Sequence, residues 1–141
     1  MSTVLQTFVT PGFSKEDRSS FPYFFAHWFA YQTVALCLKC WKPKYLFHDI
    51  EKPFLKLFLP YKKLQKFHRK YHRHHPEYRN PDKIDWEALV IDWECCRYTK
   101  INCPLSARET YEHYVEVNKF EPEIMELIKK NVPPVLERLK L

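Results

Sequence analysis

The segment SSFPYFFAHWFAYQTVALCLKC, residues 19–40, decides the fold class of this 141-residue chain. Either serine at its start can cap a helix, and Pro22 suits the first turn of that helix. The uncharged stretch, residues 21–38, just reaches the length of a membrane span. Because His27 and two further polar side chains interrupt it, and its aromatic residues are spread throughout, we expect a buried helix ending near Cys40 and no membrane span.

The composition of the whole chain also favours helices. It contains one glycine and 11 prolines. Hairpin turns, P-loops and Rossmann fingerprints depend on glycine at positive φ, and Gly12 alone cannot supply them. An all-β domain, a P-loop and a Rossmann fingerprint are therefore excluded. Proline instead starts and stops helices, and no segment alternates with period two, so we predict an all-α fold.

Prolines and capping residues divide the rest of the chain. We predict one compact domain over residues 19–141, preceded by an N-terminal extension at residues 1–18, with five main helices and short C-terminal ones. The second helix starts at Pro43, runs through His48-Asp49, and bends or restarts at Pro53. The third runs from Pro60 to about His75, and Asp82 or Asp85 caps the fourth. The fifth runs from near Pro104 to Asn118, and short helices follow at Pro122 to Lys130 and Pro133 to Leu139.

The net charge is concentrated in one segment. The chain carries 23 Lys and Arg against 17 Asp and Glu, a net charge of +6. Residues 60–79 hold seven of these basic residues, one acid and four of the seven histidines. A local surplus of this kind indicates an anionic partner, for which phosphate is the simplest candidate. Lys66, Arg69, Lys70 and Arg73 are the candidates for attracting it.

The cysteines and the N-terminus predict a location. Five cysteines, an odd number with no secretory signal, are typical of a reducing compartment. Residues 1–12 lack both the basic start and the long apolar run of a signal peptide. We therefore expect a cytoplasmic protein.

Histidines and aspartates form the chemically informative pattern. On successive predicted helices they are His27, then His48-Asp49, then His68, His72, His74 and His75, then Asp92. Neutral imidazole and carboxylate bind borderline and hard divalent metals, and helical sites collect such ligands one or two per element. Each residue alone has a plainer interpretation: a core histidine, a solvated basic helix, an ion-pairing aspartate. Their order over four helices favours a metal site.

The third helix leaves one ligand open. In a regular helix His68, His72 and His75 lie within about 60° of one face, and His74 points to the other side. If the helix frays before Pro76, either His74 or His75 can turn inward. The sequence therefore predicts His68 and one of these two histidines as ligands.

The order of these residues resembles the HD superfamily of helical metal-dependent phosphohydrolases, which hold a first metal with a His, a His-Asp pair and a later Asp. It is closer still to an uncharacterised family found largely in bacteria and phages, with a His in the first helix, His-Asp-x-x-Lys, His-x3-Asn-x-His-His and Asp-Trp. Over about half the chain the pattern here reads His27, His48-Asp49-Ile50-Glu51-Lys52, His68-x3-His72-x-His74-His75 and Asp92-Trp93. His72 replaces the Asn of that family, and Glu51 replaces the Gly of the superfamily's cyclic-dinucleotide phosphodiesterases.

The resemblance implies an HD-like domain with one or two divalent ions, Mn, Fe, Co, Mg or Zn. A first ion would be held by His27, His48, Asp49 and Asp92, and a second by Asp49, His68 and His74 or His75. Such ions polarise a phosphoryl oxygen and lower the pKa of bound water. Asp49 and Lys52 would be catalytic, with Lys52 neutralising phosphate charge beside the four basic residues of the third helix. Alternatively, Lys52 is a solvated lysine paired with Asp49 on a helix surface.

Three functions follow from this pattern. We favour a phosphohydrolase acting on a nucleotide or related phosphoester, with a phosphorylated small molecule as substrate. The second function is a non-enzymatic module whose basic helix binds nucleic acid or protein; we expect only weak nucleic-acid binding. The third is an HD-type site that holds two irons and activates dioxygen.

The cysteines offer a rival metal site. Cys37, Cys40, Cys95, Cys96 and Cys103 could together bind a structural zinc ion. However, the first two lie one turn apart in an apolar helix, where free cysteine behaves as a small hydrophobic residue. We therefore interpret the cysteines as structural thiols.

Overall fold

Six α-helices build the part of the chain that the computed structural model describes, residues 16–100 and 105–141. They are α1 (Phe21–Cys37), α2 (Lys52–Lys56), α3 (Tyr61–Tyr71), α4 (Trp86–Thr99), α5 (Ala107–Val117) and α6 (Pro122–Leu139), with short 3-10 helices at Glu16–Ser19, Pro43–Phe47 and Pro81–Lys83. No β-strand occurs within the described ranges, so the all-α prediction is confirmed. Of the predicted N-terminal extension, only residues 16–18 are described.

The apolar first segment forms α1. Ser20 caps the helix by accepting a hydrogen bond from the backbone N–H of Tyr23 (3.3 Å). The helix ends at Cys37, slightly before the predicted end, and Lys39 then takes a left-handed backbone conformation with φ 57°. None of the helices in the described ranges is long and apolar enough to cross a membrane.

Helix α4 lies at the centre of the core. Asp85, one of the two predicted caps, accepts a hydrogen bond from the first turn. The helix packs against α1, α5 and α6, and its Leu89, Val90 and Ile91 are fully buried. Each such side chain stabilises the fold by roughly 1.5–3 kcal/mol. This packing fixes the position of Asp92, the next residue of the helix.

Helix α5 begins at Ala107. Ser106 and Glu109 form a capping box in which each side chain accepts a hydrogen bond from the other residue's backbone N–H. Pro104, near which we predicted the start, lies outside the described residues. The predicted end is correct: Asn118 takes the left-handed conformation that closes the helix.

The two short helices predicted at the C-terminus form one. Helix α6 runs through Pro133 and Pro134, where we predicted a boundary. Proline inside a helix removes a backbone hydrogen bond and crowds the preceding turn. Here the neighbouring Val132 and Leu136 are fully buried against the core, and this burial compensates for the missing donors.

The second predicted helix breaks at the His-Asp pair. The 3-10 helix Pro43–Phe47 ends before His48, whose backbone is extended, and Asp49 is left-handed with φ 55°. Helix α2 then starts at Lys52, with Pro53 in its first turn, where a missing N–H costs nothing. The prediction of a helix running through the pair is therefore wrong. Adjacent side chains on a helix diverge by about 100°, whereas this break lets both point inward.

Helix α3 is shorter than predicted. It ends at Tyr71, because His72 has an extended backbone with φ −111° and ψ 131°. The proline at position 76 also disfavours a helical backbone in the residue before it. The predicted common face of His68, His72 and His75 is therefore not formed. Instead the chain turns, and His74 becomes buried.

Candidate metal centre

Four buried side chains from three parts of the fold meet at one point. The Nε2 atom of His27 on α1 lies 2.9 Å from Asp92 Oδ1 on α4. It also lies 3.1 Å from His48 Nε2 and 3.3 Å from Asp49 Oδ2, both from the break before α2. His48 Nε2 in turn lies 3.1 Å from Asp92 Oδ1 and 3.5 Å from Asp49 Oδ2. The structure thus brings together the four residues predicted for a first ion.

Hydrogen bonds alone do not explain this packing. A ring nitrogen of histidine carries either one proton or one lone pair, yet His27 Nε2 faces three polar atoms at 2.9–3.3 Å. Ligands with bonds of about 2.0–2.2 Å stand about 2.9–3.5 Å apart around a tetrahedral or octahedral ion. The separations between His27, His48, Asp49 and Asp92 fall in that range, so these residues fit a divalent ion.

A second group lies on the other side of Asp49. Its Oδ1 is 2.9 Å from His68 Nε2 and 3.1 Å from His74 Nε2, and these two nitrogens are 3.2 Å apart. His75 belongs to the same group, and its Nε2 is buried without a hydrogen-bond partner. Both histidines left open by the sequence therefore face this group. Asp49 directs one oxygen to each group, as a carboxylate shared between two ions would.

Lys52 lies against the shared carboxylate. Its ammonium is 2.8 Å from Asp49 Oδ2, and the residue is only 7% exposed. The alternative interpretation of Lys52 as a solvated surface lysine is therefore wrong. Burial alone would lower the pKa of Lys52, but the charge of Asp49 outweighs burial and raises it. The side chain thus carries a fixed positive charge beside both groups.

Glu51 holds His68 from the opposite side of its ring. The carboxylate accepts a hydrogen bond from His68 Nδ1, and Glu51 Oε1 lies 3.2 Å from His72 Nε2. A proton held on Nδ1 leaves the Nε2 lone pair of His68 free for a metal, and fixes the ring orientation. In the sequence Glu51 stood out only as a departure from a motif, since its pairing with a helix 17 residues later has no local signal.

The pKa values in the first group follow from burial and from the two carboxylates. Burial lowers the pKa of His48 to about 4 despite the attraction of Asp49. Burial also acts to lower the pKa of His27, but hydrogen bonds to Asp49 and Asp92 outweigh it and raise the value to about 10. For both aspartates burial acts to raise the pKa, but it is outweighed by His48 and Lys52 at Asp49 and by His27 and His48 at Asp92, so each pKa lies well below its usual range. At neutral pH a divalent ion would displace the proton on His27.

A cavity of about 130 Å³ opens beside the first group. Its wall includes His27, Asp92, Lys52 and His75, so residues of both groups border the same space. Aromatic side chains, among them that of Tyr23, form much of the rest of the wall. The candidate ligands are therefore accessible to a small molecule.

The four basic residues predicted to bind an anion separate in the structure. Arg69 lines the cavity, 4.0 Å from Glu77. Lys66 and Lys70 lie beside Arg69 on a shallow outer pocket. Arg73 faces away from the cavity and donates from Nε to the backbone carbonyl of Lys83 (2.7 Å). Only Arg69 of these four is placed to meet an anion inside the cavity.

Two further cations in the cavity wall were missed by the sequence analysis. Lys100 follows the end of α4, and Lys119 follows α5, with its ammonium 5.2 Å from the ring centre of Tyr114. Both lie far from the basic segment in the chain. Counting charge along the sequence could not find them, because only the packing of α4 against α5 brings them to this wall.

The described cysteines do not form the rival zinc site. Cys37 is exposed, Cys40 is half-buried, and neither joins a candidate ligand group. Cys95 and Cys96 instead form a separate three-residue candidate ligand group with His27, in which Cys95 Sγ lies 3.7 Å from His27 Nδ1. Cys103 lies outside the described residues.

No protein-family model, curated protein or solved structure matches the chain. The resemblance to the HD superfamily therefore stays a prediction. The two ligand groups and the cavity beside them are the observations from which we infer a function.

Proposed function

We propose that this protein is a metal-dependent phosphohydrolase of HD-like type that acts on a nucleotide or a related phosphoester. One observation carries the proposal: two buried ligand groups share Asp49, one oxygen each. Pairs of divalent ions about 3.5–4 Å apart are the usual arrangement for in-line displacement at phosphorus. A structural core or a nucleic-acid-binding face does not require five histidines to converge on two carboxylates.

The residues around the two groups would hold the ions in fixed positions. When bound, the ions would polarise a phosphoryl oxygen and lower the pKa of water. Glu51 accepts a hydrogen bond from Nδ1 of His68 and so orients the ring with Nε2 towards Asp49, where it can bind an ion. The left-handed backbone of Asp49 and its contact with Lys52 fix both carboxylate oxygens. The ligands are thus preorganised before an ion binds.

The cations in the cavity wall would bind and orient the phosphoester. Lys52 borders both Asp49 and the cavity, so its charge lies where negative charge develops during phosphoryl transfer. Arg69, Lys100 and Lys119 add attraction for an anion. Pockets for drug-sized ligands span about 300–1,000 Å³. A cavity of about 130 Å³ would therefore enclose the phosphoryl group and leave the rest of the substrate at its mouth.

Metal content and hydrolysis should be measured together, on untagged protein from cells supplied with Mn, Fe and Zn. We expect one or two ions per chain and turnover of p-nitrophenyl phosphate or its bis ester, followed by a screen of nucleotides. Asp49→Asn keeps the side-chain volume and removes the charge, so ion content and turnover should fall together. Asp82→Asn, at an exposed aspartate, is the matched control and should keep both.

Other outcomes would contradict the proposal. Wild-type protein without metal, or Asp49→Asn with unchanged metal content, would remove its basis. Two irons per chain with oxygen consumption and no hydrolysis would favour the di-iron oxygenase. Tight nucleic-acid binding by metal-stripped protein, with a log–log salt slope of about −0.7 to −0.9 per phosphate, would favour the binding module.

A further inference from the structure

Exposed large apolar side chains are concentrated in one part of the molecule. In the described residues, 12 of the 13 lie between Phe21 and Tyr71, and the exception is Val117 on α5. Phe58 is 82% exposed and Phe47 is 69% exposed. Single exposed apolar residues are common on protein surfaces, whereas a concentration of them marks an interaction site.

Neighbouring elements carry these side chains. Phe21, Phe25 and Phe29 repeat every four residues along the outer side of α1. Lys56 on α2 places its ammonium 5.7 Å from the ring centre of Phe21, which joins α2 to this side. We define the apolar face as Phe21, Phe25, Phe29, Phe47, Ile50, Phe54, Leu57 and Phe58.

The apolar face lies in the positive half of the chain. Residues 18–76 contain 12 Lys and Arg and only two acids, Asp49 and Glu51. Both acids contact histidines of the ligand groups and so leave the surrounding surface positive. Residues 77–141 contain 10 Lys and Arg against 13 acids. Because Lys42, Lys44 and Arg69 pair with acids of residues 77–141, the positive charge beside the exposed phenylalanines comes from Lys56, Lys62 and Lys63, which flank Leu57 and Phe58 in the chain.

We infer that the apolar face docks on a lipid bilayer with anionic headgroups. Phenylalanine side chains on α1 and α2 enter the boundary between headgroups and acyl chains, and exposed lysines such as Lys62 and Lys63 contact the headgroups. The attachment is peripheral, since no described helix can cross a membrane. Two copies of the chain facing each other through this surface would bring like charges together, which disfavours a symmetric dimer there. The inference does not depend on the proposed function.

Co-sedimentation with vesicles tests this inference. Wild-type protein should bind vesicles of phosphatidylcholine with a third phosphatidylglycerol, and bind far less to phosphatidylcholine alone. Raising the salt from about 0.1 M to 1 M shortens the Debye length from about 10 Å to 3 Å and should weaken the binding. Failure of the wild-type protein to sediment with the anionic vesicles would overturn the inference.

Two pairs of variants separate the apolar and the charged contributions. Leu57→Ser with Phe58→Ser should lower the partition coefficient by about 10-fold or more, and Val117→Ser should leave it unchanged. Lys62→Glu with Lys63→Glu should lower it by at least about 10-fold. The control for this charge reversal is Lys129→Glu with Lys130→Glu, at two exposed residues of α6.

Wild-type vesicle binding by both test variants would overturn the inference. So would a wild-type dimer in sedimentation velocity that Leu57→Ser with Phe58→Ser dissociates, if no vesicle binding accompanies it. That second result would assign the apolar face to a second copy of the chain.

Discussion

The contact between Asp49 and Lys52 yields a quantitative test of the centre. Asp49 Oδ2 and Lys52 Nζ are 2.8 Å apart, and both residues are buried. At an effective dielectric constant of about 20, two unit charges at this distance attract by ~6 kcal/mol, and desolvation cancels part of this. Breaking a buried pair by removing one partner costs about 3–5 kcal/mol. In chelator, Asp49→Asn and Lys52→Met should each lower the free energy of unfolding by about 3 kcal/mol.

The double variant carries the diagnostic result. Its loss should be smaller than the sum of the two single losses by about 2 kcal/mol, since neither charge is left alone. Urea unfolding, followed by circular dichroism, measures the free energy of unfolding of the wild type, the two single variants and the double variant. With a divalent ion at about 1,000 times its Kd, the wild type should gain ~4 kcal/mol and Asp49→Asn nothing. The exposed control Asp82→Asn should stay within about 0.5 kcal/mol of the wild type in both conditions.

Two results would refute this reasoning. If the losses of the single variants add to within about 0.5 kcal/mol, the two charges are not coupled in the folded chain. If an ion stabilises Asp49→Asn as strongly as the wild type, Asp49 is not a ligand. A loss of about 3 kcal/mol still leaves a domain with typical stability of about 5–15 kcal/mol folded, so the variants can be measured.

Three further predictions concern the surroundings of the centre. In chelator, the melting temperature should peak near pH 6.5. Below it, stability falls towards pH 4 because His48, with a folded pKa of about 4, and His75, whose pKa is also lowered by burial, take up protons on unfolding. Above it, stability falls because folded His27, with a pKa of about 10, and His68, whose pKa is raised, release their protons on unfolding. Glu51→Gln should weaken metal affinity about 10–100-fold by calorimetry and leave the fold intact. Lys100→Met with Lys119→Met should raise KM for an anionic substrate more than it changes kcat in steady-state kinetics.

Matched measurements decide these three outcomes. A pH profile of His48→Gln that falls as steeply between pH 6.5 and 4 as that of the wild type would contradict the contribution of that ring. Equal metal affinities for Glu51→Gln and Glu112→Gln, an exposed acid of α5, would contradict the role of Glu51. The control for the two wall lysines is Lys129→Met with Lys130→Met. If Lys100→Met with Lys119→Met leaves KM unchanged, as the control does, the two wall lysines do not bind substrate.

Helix starts and the candidate ligand set could be predicted from the sequence. Ser20 and Asp85 cap their helices because a short polar side chain satisfies free N–H groups of the first turn, a local effect that the sequence displays. The ligands could be chosen by residue type and order, since His and Asp side chains are the ligands that divalent metals accept and they recur on successive segments of the chain. Their convergence rests on the packing of α4 against α1.

The breaks in the helices could not be predicted, because they depend on tertiary contacts. At Asp49 the left-handed backbone costs about 1–3 kcal/mol, and contacts to His68, His74 and Lys52 hold it there. At Pro133 tertiary contacts have the opposite effect, because burial in the core stabilises a continuous helix where the local sequence favours a helix end. The location of Lys100 in the cavity wall and the exposure of the phenylalanines could not be predicted for the same reason, because both depend on the tertiary fold and not on residue type.

The left-handed turn at Asp49 has a consequence for mutational tolerance at that position. Among residues with a side chain, aspartate and asparagine adopt this backbone conformation most readily, and glycine adopts it freely. A saturation library selected for folding alone should therefore retain Asn and Gly at position 49 more often than other replacements for Asp. A library selected for metal retention should keep Asp and discard both, since neither replacement supplies two anionic oxygens. Comparing the residues retained in the two selections would separate two requirements at position 49: a left-handed backbone, and a carboxylate that binds metal.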